Sequence, residues 1–480
     1  MHDKSVTVIG GGLAGIAAAL ALARHGGRVR LIESRRKLGG RTGSFGEPCL
    51  QDTHGDDPFM ETVDYCQHVG MGCCTNLKQL IAWLGQTADW QEHSSLHLYG
   101  SGGRYRRLTA LPWLPAPLHL TSWLARWPGL TLKDRLGIAR GMLALRRVQL
   151  CATHESYLAI EWLRLQRQTA RSLELFWNTI IVSALGEELA RVDFASFCKV
   201  LQDGFLKHRA AYHLLIPTRP LDILFNRNAQ TELERAGVDV LLGQTVSSIA
   251  RSTESVTVAT RSASHASDAV ILAIPWHQLS KLDVDARFDF EDKSQVKSRL
   301  PGSVQPWDEV VTSAEKLSAS PITGIHTWWD RAWLPHAHAT LAGRLCQWVF
   351  VGPTSNQNRD SCYYQIVISA SRELPTGDVQ EVERLICEDL AEDFPAVRHS
   401  RLLRTKVVTD RRAVFSVTPA SAKLRPRQDV LGDRVLLAGD WTGTGWPATM
   451  EGAILSGFHA AELLLNRWGE TAVICAPPLS

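Results

Sequence analysis

Val6-Thr7-Val8-Ile9-Gly10-Gly11-Gly12-Leu13-Ala14-Gly15-Ile16-Ala17-Ala18-Ala19, followed by Val29-Arg30-Leu31-Ile32-Glu33, is the stretch that decides the fold. Val6 to Ile9 reads as a short buried strand, Ile16 to Arg24 as an alanine-rich helix and Val29 to Ile32 as a second apolar strand. Gly10 permits the tight turn, Gly12 lets the backbone approach a pyrophosphate, and Gly15 lets the helix pack closely on the strand. The helix start at Leu13 and Ala14 offers free N–H groups and the positive end of its dipole to the diphosphate. Glu33, about 20 residues beyond the glycines, is placed to accept hydrogen bonds from an adenosine ribose, with Ser34 beside it. The bland alternative is a glycine-rich turn that only packs, but strand, helix, second strand and acid all follow in order.

Leu38-Gly39-Gly40-Arg41-Thr42 comes next. It resembles the second flavin fingerprint of the amine oxidase and phytoene desaturase superfamily. The resemblance implies that the two glycines pass near an FAD diphosphate supported by Arg41, and that the dinucleotide is FAD. A surface cation after a simple turn is the competing account. At the other end of the chain, Val435-Leu436-Leu437-Ala438-Gly439-Asp440 reads as a buried strand ending on a carboxylate suited to a ribityl hydroxyl. Trp446-Pro447-Ala448-Thr449-Met450-Glu451-Gly452 then opens a last helix whose N-terminal dipole favours the negative charge of a reduced flavin. Val246, at the start of a strand in the middle of the chain, joins the expected FAD contacts.

The chain has 480 residues, enough for two large cores. Its hydrophobic fraction of 45% and charged fraction of 21% are those of a globular protein. A net charge of +3 carries no nucleic-acid signature. The 10 cysteines form no CxxC pair and the 17 histidines show no HExxH spacing, so no metal site is expected. With no secretory leader ahead of the first strand, reduced cytoplasmic thiols are the expectation. No run approaches the length of a spanning helix. Between Arg104 and Arg147, however, nine Arg and Lys face the single acid Asp134, mixed with Trp113, Trp123, Trp127 and many leucines. Such a segment can lie in a membrane interface or form a buried helical cap with solvated arginines.

The cofactor-like parts fall in separate stretches. The expected fold class is therefore α/β: a discontinuous Rossmann-like FAD-binding domain (1–75, 220–300 and 425–470) with an inserted mixed sheet-plus-helices substrate domain (76–219 and 301–424). Its helical part near 104–165 is the one that can face a membrane. Gly46 to Phe59 reads as a polar loop, and Asp283 to Lys316 as a charged region without clear period. Ile322 to Trp329, Gln347 to Val351 and Tyr363 to Ser369 read as strands, and Val379 to Asp393 as a helix.

Leu437-Ala438-Gly439-Asp440-Trp441-Thr442 with Pro447-Ala448-Thr449-Met450-Glu451-Gly452-Ala453 resembles the hydroxysqualene dehydroxylase family. So do Gln67-His68, Gly72-Cys73-Cys74-Thr75-Asn76-Leu77, His326-Thr327-Trp328-Trp329-Asp330, Gln347-Trp348-Val349-Phe350 and Arg412-Ala413-Val414-Phe415. Asp64-Tyr65-Cys66, ahead of Gln67-His68, departs from the family pattern. The resemblance implies reductive removal of an allylic hydroxyl from hydroxysqualene, a C30 isoprenoid, to give squalene. It also implies an apolar tunnel, which Trp328, Trp329, Trp348 and Phe350 would suit, and a protein acid. His68 is the candidate acid, with a structural or flavin-contacting histidine as the alternative. Trp446 and Trp441 could wall the reaction site or simply pack. So water-insoluble a substrate favours peripheral association with the inner membrane. The electron donor is expected to be NAD(P)H or a redox carrier, since no second dinucleotide fingerprint is present. A phytoene-type desaturase on the same scaffold, or a redox-inactive isoprenoid-binding escort protein, are the alternatives.

Overall fold

The computed structural model describes residues 4–48, 60–100, 102–149, 156–252, 254–285, 304–352 and 361–479. Five strands build the dinucleotide sheet in the order Asp239–Leu242, Arg28–Glu33, Ser5–Ile9, Ala269–Leu272, Val435–Leu437. Every pair is parallel, with Val8 opposite both Leu31 and Ile271, and Leu272 opposite Leu437. Parallel strands are covered on both faces, which explains why these segments are largely apolar and not strictly alternating. The helix Leu13–Arg24 is buried around nearly its whole circumference, between the sheet and the last helix, Met450–Arg467. A Cβ on Gly457 would lie 2.1 Å from the Ala14 carbonyl oxygen, so these two helices meet backbone to backbone. That contact is the physical reason for the alanine run. Ile9, Glu33 and Leu437 all end at the carboxyl edge of the sheet, where a dinucleotide binds in such folds.

A second sheet has seven strands. Its order is Leu402–Phe415, Ala319–Trp329, Cys362–Ser369, Trp348–Val351, His338–Leu341, Ser95–Tyr99, Arg106–Thr109. The helix Val379–Asp393 covers one face through Val382, Ile386 and Leu390. The opposite face, through Trp348, Phe350 and Val367, lines a cavity shared with Thr449 and Met450 at the start of the last helix. A four-stranded sheet is built from Val246–Arg251, Val256–Thr260 and Ser264–Ser267, which lie between the third and fourth strands of the dinucleotide sheet in sequence, and Asp283–Val284, which follows the fourth.

Several expectations are corrected here. Gly46 to Pro48 belongs to a strand, Ser44–Pro48, paired with Met60–Asp64; the rest of the expected loop lies outside the described residues. The charged region contains a helix, Trp307–Glu315, although 286–303 also lies outside them. The stretch near 104–165 is not helical from its start, because Arg106–Thr109 is the edge strand of the seven-stranded sheet. An edge strand needs few apolar residues, and its arginines point to water. Trp123 and Trp127 do not face a membrane: they are 7% and 1% exposed, and the Trp127 indole N–H donates to the Leu175 carbonyl at 2.9 Å.

Candidate active site

The glycine loop is held by contacts that only glycine allows. Gly10 has φ +107°, and a Cβ there would lie 2.4 Å from the Ala273 carbonyl oxygen. A Cβ on Gly15 would lie 1.8 Å from the Gly10 carbonyl oxygen. Gly12 differs: nothing stands within 4 Å of its missing side chain, so its face opens outward. The second glycine motif docks on the first. The Gly39 N–H donates to the Gly11 carbonyl at 2.8 Å, and a Cβ on Gly40 would approach the Gly12 Cα to 3.1 Å. Thr42 turns the chain back, its N–H and hydroxyl both donating to the Gly39 carbonyl at 3.0 and 2.7 Å. Two motifs far apart in sequence thus form one backbone cradle, beside a helix start whose first-turn N–H groups, at Leu13 and Ala14, have no partner inside the helix.

Glu33 is buried at the end of its strand, and its carboxylate accepts from the Gly11 N–H at 2.6 Å and the Ser34 hydroxyl at 3.0 Å. Its carbonyl accepts from the Gln244 N–H at 2.9 Å, which brings the strand starting at Val246 to the same edge. At the other end of the cradle the Arg41 guanidinium donates to the Asp440 carboxylate at 2.5 Å and to the Ala413 carbonyl at 2.6 Å. Asp440 is buried, and Gly439 before it takes φ +137° and donates its N–H to Ser456 of the last helix at 2.7 Å. That helix is capped by the Thr449 hydroxyl, which accepts from the Gly452 N–H at 3.0 Å, with Ala448 buried behind it and Met450 as its first residue. Arg425 ties the intervening loop by donating to the carbonyls of Asp440, Thr442 and Trp446. The donor set suits FAD: an acid at the ribose end, open backbone N–H groups for a diphosphate, and a second acid and a helix N-terminus at the ring end.

A cavity of about 240 Å³ begins at that helix N-terminus and runs under the seven-stranded sheet. Thr449, Met450 and Trp446 close the inner end, and Trp348, Phe350 and Ile180 are among the apolar walls. Trp348 and Phe350 stack with ring centroids 5.4 Å apart, and the Trp348 indole N–H is fixed on Ser183 at 2.7 Å. Most of the wall is apolar, and the charged residues on it are Lys199, Asp203 and Glu451. Lys199 stands 4.8 Å from the centroid of the Trp446 ring and pairs with Asp203 at 2.6 Å.

The profile of the flavin containing amine oxidoreductase family matches residues 13–465. The chain belongs to that family. It is 24% identical over 490 residues to 15-cis-phytoene desaturase of Synechococcus elongatus, covering 97% of this chain and 96% of that one. It is 25% identical over 484 residues to hydroxysqualene dehydroxylase of Sinorhizobium fredii, covering 96% and 99%. Among solved structures it resembles an oxidoreductase from Methanosarcina mazei, with TM-score 0.68, 16% identity and coverage of 95% and 100%. Cyclohexylamine oxidase from Brevibacterium oxydans shares the fold at TM-score 0.63 and 17% identity, covering 98% and 100%. This flavoprotein is thus an α/β FAD-dependent oxidoreductase of the phytoene desaturase and amine oxidase superfamily, and the redox-inactive escort reading falls away.

The remaining candidates of this amine oxidoreductase family member divide by strand alternation. Trp348 and Phe350 face the cavity. Trp329 points to the other face of the sheet, against Trp333 and the helix Val379–Asp393, and Trp328 packs on Tyr363 under Arg404. Neither joins the tunnel wall expected of them. Trp441 is fully buried, with its indole N–H on the Ile274 carbonyl at 2.9 Å, so it packs, while Trp446 walls the site. His68 is half-buried and its Nδ1 lies 2.9 Å from the Cys66 carbonyl. Burial lowers its pKa, the Cys66 carbonyl partly offsets this, and the Arg41 charge adds to the lowering. Its neighbours Gln67 and Val69 line the cavity, whereas His68 itself is not among the lining residues. Glu451, Lys199 and Arg425 were not singled out as site residues. The Lys199–Asp203 spacing of i, i+4 reads as an ordinary solvated pair, and only the fold turns it inward.

Proposed function

We propose that this enzyme reductively removes the allylic hydroxyl of hydroxysqualene to give squalene. The observation that carries the reading is the apolar cavity ending on Trp446, Thr449 and Met450, at the ring end of the FAD cradle. Similarity over nearly the whole of both chains to a hydroxysqualene dehydroxylase supports it. Overall, the alcohol takes up one hydride and one proton, its C–O bond breaks, and water leaves. Bound FAD in its reduced state supplies the hydride. The chain's own residues orient and dry the substrate: Trp348 and Phe350 hold the polyene, and Trp446 with Lys199 closes the reacting end. In this reading His68 delivers the proton. With its Nδ1–H on Cys66, Nε2 is the atom that carries it, and a lowered pKa makes the loaded imidazolium a stronger acid. Electrons arrive from NAD(P)H or a redox carrier that docks transiently.

Product analysis tests the assignment. Purified holoenzyme, hydroxysqualene and a chemical reductant should yield squalene, and single-turnover oxidation of the pre-reduced enzyme should slow in His68→Gln. Unchanged substrate would sink the reaction; an unchanged rate in the variant would sink the role of His68. A second reading, desaturation of a phytoene-type polyene, is favoured by the equally long match to 15-cis-phytoene desaturase. Anaerobic mixing separates the two, since a desaturase bleaches oxidised flavin with its polyene.

The reading also puts the enzyme on the cytoplasmic side of the inner membrane as a peripheral protein. Among the described residues no helix is long and apolar enough to cross a membrane. Leu132, Leu136 and Leu143, on the helix Leu132–Arg146, are 72%, 64% and 52% exposed, and Trp113 is 73% exposed. These side chains, not Trp123 and Trp127, would meet lipid.

A further inference from the structure

Five arginines converge on one concave site outside the active site. Arg104, Arg106, Arg126, Arg135 and Arg171, with Thr131, line a surface pocket of about 420 Å³. They come from the edge strand of the seven-stranded sheet and the segment just before it, the helix Thr121–Arg126, the helix Leu132–Arg146 and the start of the helical run at Ala170. The floor is fixed, because the Arg135 guanidinium donates to the carbonyls of Trp127 and Leu130 at 3.2 Å. The acid next to the pocket, Asp134, is already spent. Its carboxylate accepts from the Thr131 N–H at 2.8 Å, the Thr131 hydroxyl at 2.6 Å and the Thr169 hydroxyl at 2.5 Å. Like charges gathered in a concavity repel one another, and an anion relieves that repulsion. Guanidinium forks match the oxygens of a phosphate.

What surrounds the pocket selects the source of the phosphate. Leu132, directly after Thr131, starts the exposed stripe that continues through Leu136 and Leu143. At the helical repeat these three fall within about 40° of arc, with Arg140 and Arg146 flanking them. An apolar stripe between arginines is the pattern of a helix lying in a bilayer interface. Trp127 forms a wall of both the arginine pocket and the apolar cavity. We propose that the pocket binds the phosphate of an anionic phospholipid headgroup, and that this fixes the leucine stripe on the bilayer one indole ring from the cavity. The proposal deepens the membrane placement given above and does not depend on which reaction the enzyme runs.

The test uses full-length, FAD-loaded protein and flotation with phosphatidylcholine vesicles doped with phosphatidic acid. Replacing Arg106, Arg126 and Arg171 with Gln should weaken partitioning by about fivefold per arginine, roughly a hundredfold for the triple variant. Replacing Arg227, Arg235 and Arg384, exposed elsewhere, removes the same charge and should cost far less. FAD content reports that both variants are folded. Equal losses in the two triples would overturn the proposal in favour of diffuse charge, and no loss in the first would overturn it outright. Inorganic diphosphate raising the melting temperature of a protein that ignores the vesicles would overturn the lipid source in favour of a free phosphate. A protein that floats through these arginines yet makes no squalene leaves this proposal standing and sinks the reaction.

Discussion

Glu451→Gln is the most informative single substitution, because one carboxylate joins the last helix to the helix Thr75–Trp83. Glu451 is 1% exposed. One oxygen accepts from the Asn76 N–H at 3.1 Å and the Asn76 side-chain amide at 2.7 Å, and the other from the Leu77 N–H at 2.7 Å. It therefore caps the N-terminus of its neighbour from a distance in sequence of more than 370 residues. A glutamine keeps the shape and one acceptor. Its NH2 must then face the Leu77 N–H, leaving that buried donor unsatisfied at about 1–3 kcal/mol, and the Asn76 bonds lose their charge assistance at about 1 kcal/mol more. Burial raises the Glu451 pKa against the opposing pull of Asn76 and Leu77, so removing the charge returns part of this. The net expectation is a loss of about 2 kcal/mol for Glu451→Gln and about 4 kcal/mol for Glu451→Ala, which strands every donor. Urea unfolding of the holoprotein followed by tryptophan fluorescence measures both, and a cycle with Asn76→Ala should show coupling near 1 kcal/mol. Losses below about 1 kcal/mol in both variants would refute the cap as a stabilising link.

Four further outcomes are expected. Arg41→Met strips the counterion from buried Asp440 and should cost about 3–5 kcal/mol, read as colourless, FAD-poor protein; normal flavin content would refute it. Gly15→Ala brings a methyl against the Gly10 carbonyl and should also abolish FAD retention, measured as the flavin-to-protein absorbance ratio. Trp348→Ala opens the cavity wall without touching the cradle, so KM for the polyene should rise while bound FAD is unchanged; an unaltered KM would remove Trp348 from the substrate site. On acidification His97, His119 and His326, held down to about 4, and His338, held down to about 3, stay neutral in the fold while the unfolded chain takes up protons below 6.5. Asp64 and Asp193, pushed up to about 6 by burial, act in the opposite sense below that pH. Four histidines less two carboxylates leave two protons, so stability should fall by about 2.7 kcal/mol per pH unit between 6 and 4, and more steeply between 6.5 and 6. Urea midpoints that stay flat or rise on acidification would contradict this.

The cradle was legible in the sequence because its chemistry is carried by backbone and by glycine. Gly10, Gly15 and Gly39 are demanded by close approaches and positive φ that no other residue tolerates, so residue type alone declares the geometry. Arg41 and Asp440 were each legible, but their pairing was not, since nothing local says that residues 399 apart will meet at 2.5 Å. The strands of the seven-stranded sheet were half legible. Ala319–Trp329 and Cys362–Ser369 are central and largely apolar, whereas Leu402–Phe415 lies on an edge, and its Arg, Lys, Thr and Asp residues hide the period of a strand.

The basic segment shows where composition stops being informative. Counting residue types joined tryptophan, leucine and arginine into one membrane signal, yet the fold sends Trp123 and Trp127 into the core and Leu132, Leu136 and Leu143 to the surface. What separates them is phase. The leucines recur at i, i+4 and i+11, which keeps them on one stripe of a helix that buries Ile138, Gly141 and Leu145 on its other side. Trp123 and Trp127 are also i, i+4, but the first lies on a six-residue helix and the second caps its end, and they meet Phe205, Tyr212 and Phe176. Spacing thus identifies a face, and only the partners decide which way the face turns. A tryptophan with aromatic neighbours within reach is held by the core, because burying an aromatic ring against others gains more than leaving it at a wet interface. A leucine stripe with no such neighbours and arginines on either flank stays at the surface, and in the proposed membrane placement it is lipid that covers it.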